Sequence, residues 1–400
     1  MHEQESTDAL SERDFEFSMS QSFDIAIVGL GAIGSAAAYQ LARRHKSVVA
    51  FDSYSPPHSM GSTHGESRVI REAYFEHPLY VPLVQRAYQS WHELEAQSSE
   101  NLLVQTGGIL LGPPDGTLIS GTRLSADRHG LNYEMLQARE VHKRYPVLNP
   151  GPDTVGLFER RAGVLLPEKC VEAHLRLAAE AGAEFHFDEP VESWSVDGDG
   201  VEVKSANGTC RAELLILSPG AWLGGLLPDL TLPLTIERQV LHWVQPEKEP
   251  ERFDADNLVF FAWEYREGAL FYVIPDLGTG VKIALHHQGE ITDLDRIERD
   301  IADEEVKEME TLIDTFVPEM RGTMARALVC MYTNTPDEHF LIDRHPAHDQ
   351  VLIVSPCSGH GFKFASVVGE IVADLAIDGE SKFDLSPFAI GRLIDSKEGE

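Results

Sequence analysis

The sequence has 400 residues, 42% hydrophobic and 24% charged, enough for a large core and two or three domains. Its 65 acids against 33 bases give a net charge of −32, which repels a phosphate backbone and excludes nucleic acid as a partner. No apolar run reaches the roughly 18 residues that a membrane span requires, and the four cysteines show no metal or disulfide spacing, a pattern that fits a reducing cytoplasm.

The stretch MHEQESTDALSERDFEFSMSQ is polar and acidic, without a basic start or an apolar core. Residues 1–22 therefore read as a disordered extension and not as a secretory signal. The first ordered unit follows at once. FDIAIV is a short β-type run, AIGSAAAYQLARR has strong helix formers on an apolar stripe, and SVVAFD is a second strand ending in Asp52. Gly29, Gly31 and Gly34 stand in G-x-G-x-x-G spacing between strand and helix, and Asp52 follows Gly29 by 23 residues (52 − 29). In that context the glycines permit a tight turn, the helix N-terminus takes a pyrophosphate, and Asp52 accepts ribose hydroxyls. The pattern predicts a dinucleotide-binding βαβ unit. It does not separate NAD from FAD.

Next, GSTHGESRVIREAYF carries Arg68 and Arg71, three apart, so that on a helix they would share a face. They read either as solvated arginines at a helix start or as two guanidiniums able to grip a carboxylate. EKCVEAHLRLAAEAGA is an amphipathic helix, followed by short strands in EFHFD, ESWSVDG, GVEVKSA and ELLILSPGAW. Residues 234–290 are strand-rich, with LVFFAWEYR expected to shape a pocket and Trp263 to form a bulky wall of it. In GVKIALHHQ, Lys282 and His286 point to one face while Val281, Ile283 and Leu285 face the core; whether the first face is solvated or functional stays open on pattern alone. Leu294, Ile297, Ile301, Val306, Met309 and Ile313 recur at near-helical spacing and predict one amphipathic helix with an acidic solvated face. An acid excess with only ten lysines is also the composition of proteins from salt-loving cells.

ARALVCMYTNTPDEHF ends an apolar run on Cys330, which by itself reads as a small buried hydrophobe. QVLIVSPCSGHGFKFASVVGEIVADLAI returns to strand, glycine loop and helix. Gly359 and Gly361 lie in the loop, and Lys363 stands at the helix N-terminus, where a positive charge is disfavoured unless an anion sits nearby. RHPAHD and CSGH lack paired ligand spacing, so no metal site is expected. A dinucleotide-type βαβ unit at one end and a strand–loop–helix unit at the other predict one domain made of separated segments, with a β-rich domain inserted.

Four stretches together resemble the flavin-dependent amine oxidases typified by monomeric sarcosine oxidase and N-methyltryptophan oxidase: residues 29–34, GSTHGESRVIR at 61–71, CMYTNTPDEHFLID at 330–343 and SGHGFKF at 358–364. The resemblance runs from about residue 23 to 390. It implies an α/β fold, with a discontinuous Rossmann-like FAD-binding domain (23–102, 160–233 and 337–390) and an inserted β-sheet substrate domain (103–159 and 234–336). It implies FAD bonded covalently through Cys330, with Ser62, His64, Arg68, Val191, Phe362 and Lys363 joining the glycines and Asp52 around it. Arg71 and Lys363 match a pair that binds the substrate carboxylate, with Tyr332 beside the attachment cysteine. Lys282 matches an oxygen-activating lysine, Arg68 a basic residue near the flavin ring, and Tyr272 and His286 residues lining the substrate pocket.

The implied reaction is oxidation of the secondary amine of an N-methyl or cyclic amino acid to an imine. Hydrolysis then gives an aldehyde and the amino acid, and O2 is reduced to H2O2. The implied partners are a small amino-acid substrate and O2, with the enzyme a cytoplasmic monomer. Two other readings keep the glycine motif: an NAD(P)-dependent dehydrogenase, and a flavin-binding protein that is not an oxidase. The first leaves Cys330, Lys282 and SGHGFKF unexplained.

Overall fold

The computed structural model describes residues 22–394. The acidic extension expected over 1–22 lies outside them, except for Ser22, which opens the first strand. That strand, Ser22–Val28, lies parallel between Val48–Phe51 and Gly208–Leu217. Glu184–His186 extends the sheet on one side and His348–Ser355 on the other, both parallel to their neighbours. Leu341–His345 closes the far edge as a hairpin with His348–Ser355, while the ribbon Val191–Asp197/Gly200–Ser205 pairs with the first half of Gly208–Leu217. All four residues of Val48–Phe51 are buried, as expected of a parallel strand covered on both faces.

Helix Ala32–Ala42 packs this sheet against helices Pro167–Glu180 and Ala365–Ile377. Small residues make the contact close: a Cβ on Gly369 would stand 2.7 Å from the Ala36 backbone. Helix Tyr80–Ser98 adds Trp91 to the same core.

A second sheet is mixed and more antiparallel. Thr235–Pro246, Val281–His286, Ala269–Ile274, Phe260–Arg266, Gly108–Gly112 and Val155–Glu159 run side by side, and Gly322–Asn334 pairs along the length of Thr235–Pro246. Its two faces differ. Val281, Ile283, Val273, Phe261 and Trp263 pack with Met309, Leu312 and Ile313 of helix Asp303–Phe316. Lys282, His286, Tyr272, Ala262 and Cys330 occupy the other face, so period-two alternation holds along Val281–His286.

Three local expectations are corrected. Arg68 and Arg71 do not start a helix: Arg68–Ile70 is a short strand pairing with Gly163–Leu165, and Arg71 follows it. The acidic helix begins only at Asp303. Before it, Arg238 draws the Glu298 and Asp300 carbonyls to itself at 2.7 and 2.8 Å, and Arg299 reaches back to the Ser59 and Met60 carbonyls. Those tertiary bonds keep the segment from helix, and Glu305 then caps the Ala302 N–H at 2.8 Å. Trp263 forms no pocket wall. It lies on the sheet face against Phe316, while Phe260 and Ala262 of the same strand line the cavity.

Candidate active site

One cavity of about 540 Å³ runs between the two sheets. It begins at the glycine turn. Gly29 has a φ of 91°, and a Cβ there would stand 2.6 Å from the Ser218 carbonyl oxygen, so glycine alone lets the strand turn against that neighbour. A Cβ on Gly34 would meet the Gly29 carbonyl oxygen at 1.8 Å. Helix Ala32–Ala42 therefore presents its N-terminus to the cavity wall with no acid in the first turn and no N-cap side chain bonded to it. The Ala32 N–H donates to Thr63 Oγ1 at 3.3 Å, and the other N–H groups of the first turn with the helix dipole suit a pyrophosphate there. Asp52 accepts from the Leu30 N–H at 2.7 Å and the Tyr54 N–H at 2.9 Å, which orients its carboxylate and leaves lone pairs for hydroxyl donors.

Farther in, the loop through Gly65 is folded over the strand Val281–His286. Glu168 accepts from the Gly65 and Glu66 N–H groups at 2.8 and 3.0 Å. Arg68 donates to the Ser67 and Ser62 carbonyls, each at 2.8 Å, and lies 3.6 Å from Cys330 Sγ. Cys330 is buried on Gly322–Asn334, 3.7 Å from the Ser62 carbonyl, with its side chain toward the cavity. Lys282 Nζ donates to the Gly65 and Ser67 carbonyls, both at 2.9 Å. Burial, and then the neighbouring Arg68, hold Lys282 well below the usual lysine value.

The inner end carries a cluster of charge. Arg71 donates to both oxygens of Glu76 at 3.0 and 2.8 Å and to the Ala73 carbonyl at 2.7 Å, with its guanidinium over the Tyr74 and Phe75 rings. Burial alone would raise Glu76, but Arg71 reverses this and holds it at about 2. Lys363 is also buried here, and burial followed by Arg71 brings it down to about 7. His286 and Tyr332 meet at 3.2 Å. Burial, then His287, holds His286 well below its ordinary value, so the ring is neutral. Burial pushes Tyr272 up to about 12. Beyond these groups the wall is apolar, formed by Leu110, Leu118, Phe260, Ala262, Leu270 and Ile274.

Against known sequences, the family described as FAD dependent oxidoreductase matches residues 24–375. The chain belongs to this family. As an FAD dependent oxidoreductase it is 43% identical to a monomeric sarcosine oxidase of Streptomyces avermitilis, over 94% of this chain and 99% of that protein. It is 38% identical to an N-methyl-L-tryptophan oxidase of Escherichia coli (strain K12 / DH10B), over 93% and 99%. Its fold is shared with NikD, an unusual amino acid oxidase of nikkomycin biosynthesis, at a TM-score of 0.81 and 22% identity over 92% of this chain and 98% of that one. It is shared also with an L-proline dehydrogenase from P. horikoshii, at a TM-score of 0.82 and 19% identity over 94% and 99%.

For an FAD dependent oxidoreductase the residues fit the cofactor. The glycine turn and Asp52 suit the ADP half, and the cavity continues without a break to Arg68 and Cys330. All but three of the cofactor, substrate and catalytic residues expected from the sequence line this cavity. Gly34, His64 and Lys282 stand behind its wall. Gly34 sets helix against strand. His64 is buried with neither ring nitrogen hydrogen-bonded, and burial, then Arg68 and Lys282, push it down to about 3. Lys282 reaches the cavity through Ser67 and Arg68.

Sequence reasoning missed Glu76, Tyr74 and His360. Glu76 neutralises half of the expected cationic pair, yet an acid five residues past an arginine carries no local signal of a turn that joins them. His360 lies inside SGHGFKF, between two glycines that by themselves account for the loop.

Proposed function

We propose that this enzyme oxidises the secondary amine of N-methyl or cyclic amino acids, with FAD joined covalently through Cys330 and O2 as the acceptor. One observation carries the reading: Cys330, the Arg71–Lys363 pair and the Tyr272–His286–Tyr332 walls open into the cavity that starts at the glycine turn. The names of the sarcosine and N-methyl-L-tryptophan oxidases similar to this chain support it.

Bound FAD supplies the two-electron oxidation, and the chain binds, orients and tunes charge. Lys363 and Arg71 take the substrate carboxylate at the inner end. Arg71 must share itself with Glu76, so Lys363 is the less committed cation. The cations Arg68 and Arg71 disfavour a second positive charge nearby, which biases a bound secondary amine to its neutral form, the form whose nitrogen lone pair is free. Neutral His286 and Tyr272 flank that nitrogen without adding charge. Arg68 places positive charge where negative charge develops as oxygen is reduced, and Lys282, buried behind it and held well below the usual lysine value, adds a charge there when it takes up a proton. The apolar inner wall favours substrates with an apolar substituent. Four free cysteines support a reducing cytoplasm as the compartment, and the name of the Streptomyces relative supports a monomer.

Hydrogen peroxide release is the test, measured with sarcosine, N-methyltryptophan, proline and pipecolate. At least one should be oxidised, and yellow colour should stay with the acid-precipitated protein. A yellow protein that yields no peroxide from any secondary amine would overturn the oxidase reading. Colour released entirely into the acid supernatant would overturn covalent attachment alone.

A further inference from the structure

The glycine loop ahead of helix Ala365–Ile377 carries a directional set of hydrogen bonds. His360 Nε2 lies 3.0 Å from the Glu338 carbonyl oxygen, which can only accept, so Nε2 bears the ring proton. Nδ1 is then an acceptor, and the Tyr74 hydroxyl, 2.9 Å away, donates to it. With its hydrogen committed there, the Tyr74 oxygen turns a lone pair toward Lys363 Nζ at 3.1 Å. A second Lys363 hydrogen goes to the His360 carbonyl oxygen at 2.9 Å. An ammonium has three hydrogens, and two are now assigned. The third is left for the cavity that Lys363 lines. A neutral amine has two hydrogens, both assigned, and turns a lone pair to the cavity instead.

We propose that Tyr74 and His360 are positioning residues: they aim the third N–H of Lys363 at the substrate carboxylate and couple carboxylate binding to the uptake of one proton by Lys363. This rests on the reading of Lys363 as a carboxylate ligand. The groups facing Lys363 agree. Arg71 and Arg68 disfavour its ammonium form and Glu76 favours it, while Tyr74 and His360 stay neutral. From the strand Val281–His286 comes His286, also neutral. Helix Tyr80–Ser98 offers Trp91, which does not titrate and donates to the Lys363 carbonyl at 2.8 Å. Since burial and Arg71 hold Lys363 at about 7, the change from amine to ammonium falls in a pH range where the enzyme can be studied.

Tyr74 can be tested without emptying its site. Its ring packs against Tyr80 at 5.1 Å and Phe364 at 5.3 Å, contacts that Tyr74→Phe keeps while removing the hydroxyl. The probes are acetate and its uncharged counterpart acetamide, titrated into holoenzyme by flavin absorbance from pH 6 to 9. Calorimetry in two buffers of different ionisation heat counts protons. Wild type should take up close to one proton per acetate near pH 8. Its acetate Kd should rise about tenfold per pH unit above 7, as for any ligand that requires one protonated group. Tyr74→Phe should weaken acetate by about 10-fold or more at pH 6, the loss of one hydrogen bond to a charged group. It should also move the midpoint of the pH profile lower, with acetamide binding and the melting temperature close to wild type. His360→Asn, whose amide oxygen can stand in for Nδ1, should retain more acetate affinity than His360→Leu. An unchanged acetate Kd and midpoint in Tyr74→Phe overturns the proposal, as does equal weakening of acetate and acetamide. If Lys363→Met binds acetate like wild type, the carboxylate reading beneath the proposal falls with it.

Discussion

Cys330 is where residue chemistry and sequence position were hardest to connect. Its apolar flank predicts a core residue, and it is indeed buried, yet its sulfur lies beside Arg68 on a cavity wall. Cys330→Ser should abolish covalent flavin and leave the fold intact, because the glycine turn that suits the ADP half is untouched. Mass spectrometry of the tryptic peptide decides: a wild-type Cys330 peptide without a flavin adduct sinks the assignment. Glu76 gives a pH prediction. Its folded value, about 2, lies below the ordinary 4.5, so its contribution to stability is present above pH 4.5 and is lost as the pH falls toward 2. In urea unfolding at several pH values, wild type should exceed Glu76→Gln in stability near neutrality, and the gap should close through that window. A constant gap would mean that the ion pair is not its source. The places of Gly29, Gly31, Arg68 and Lys363 on the cavity wall were legible from sequence because each belongs to a short contiguous motif, and that of Asp52 because it ends the second strand of the same βαβ unit. Glu76 and Tyr74 were not, because their roles arise from a turn whose geometry is set by Glu159 accepting the Glu72 and Ala73 N–H groups from 86 or more residues away.

Among the elements, the strand Val281–His286 was read correctly from alternation alone. Lys282 and His286 share a face, and Val281 and Ile283 fill the core opposite. The acidic segment was misread because periodicity sees side chains and misses the carbonyls that Arg238 takes from the backbone. Lys282→Met should slow reoxidation of the reduced enzyme by O2 by about 10²–10³-fold, the usual loss for one preorganised donor at a developing anion. Reduction by substrate should change far less. Stopped-flow measurement of the two half-reactions separates them, and equal losses would make Lys282 a structural prop for Gly65 and Ser67. On Phe260–Arg266, Ala262 is the small residue on the cavity face, opposite Tyr272 and Leu110. Ala262→Phe should raise KM for an N-methyl amino acid with a bulky apolar side chain by about 10-fold or more, the scale of overpacking, while sparing sarcosine. Parallel KM changes for both substrates would show that the apolar wall does not contact the side chain.

For the whole molecule, charge and architecture pull in opposite directions. A net charge of −32 repels carboxylates at long range, while on the proposed reading Lys363 and Arg71 attract them within the site. The association rate of acetate should therefore rise with salt from about 10 to 150 mM, as the Debye length shrinks from roughly 30 to 8 Å. A rate that falls with salt would mean that the local basic field reaches past the cavity mouth. Composition conveyed the first field at once. The second depended on residues far apart in sequence, which no local pattern joins.

The sheet beneath the glycine turn also sets an order of events during synthesis. Ser22–Val28 finds its second parallel neighbour only when residues 211–217 exist, and those find theirs only at 351–353. At about 5–20 residues per second, the ribosome spends roughly 15–60 s between exposing the glycine turn and supplying the last strand. Cys330 emerges near the end of that interval, on the strand that pairs with Thr235–Pro246. A nascent chain thus owns the turn suited to a pyrophosphate long before it owns the sulfur for the ring. A flavin bond at Cys330 would accordingly mark molecules whose translation had passed both sheets' central strands.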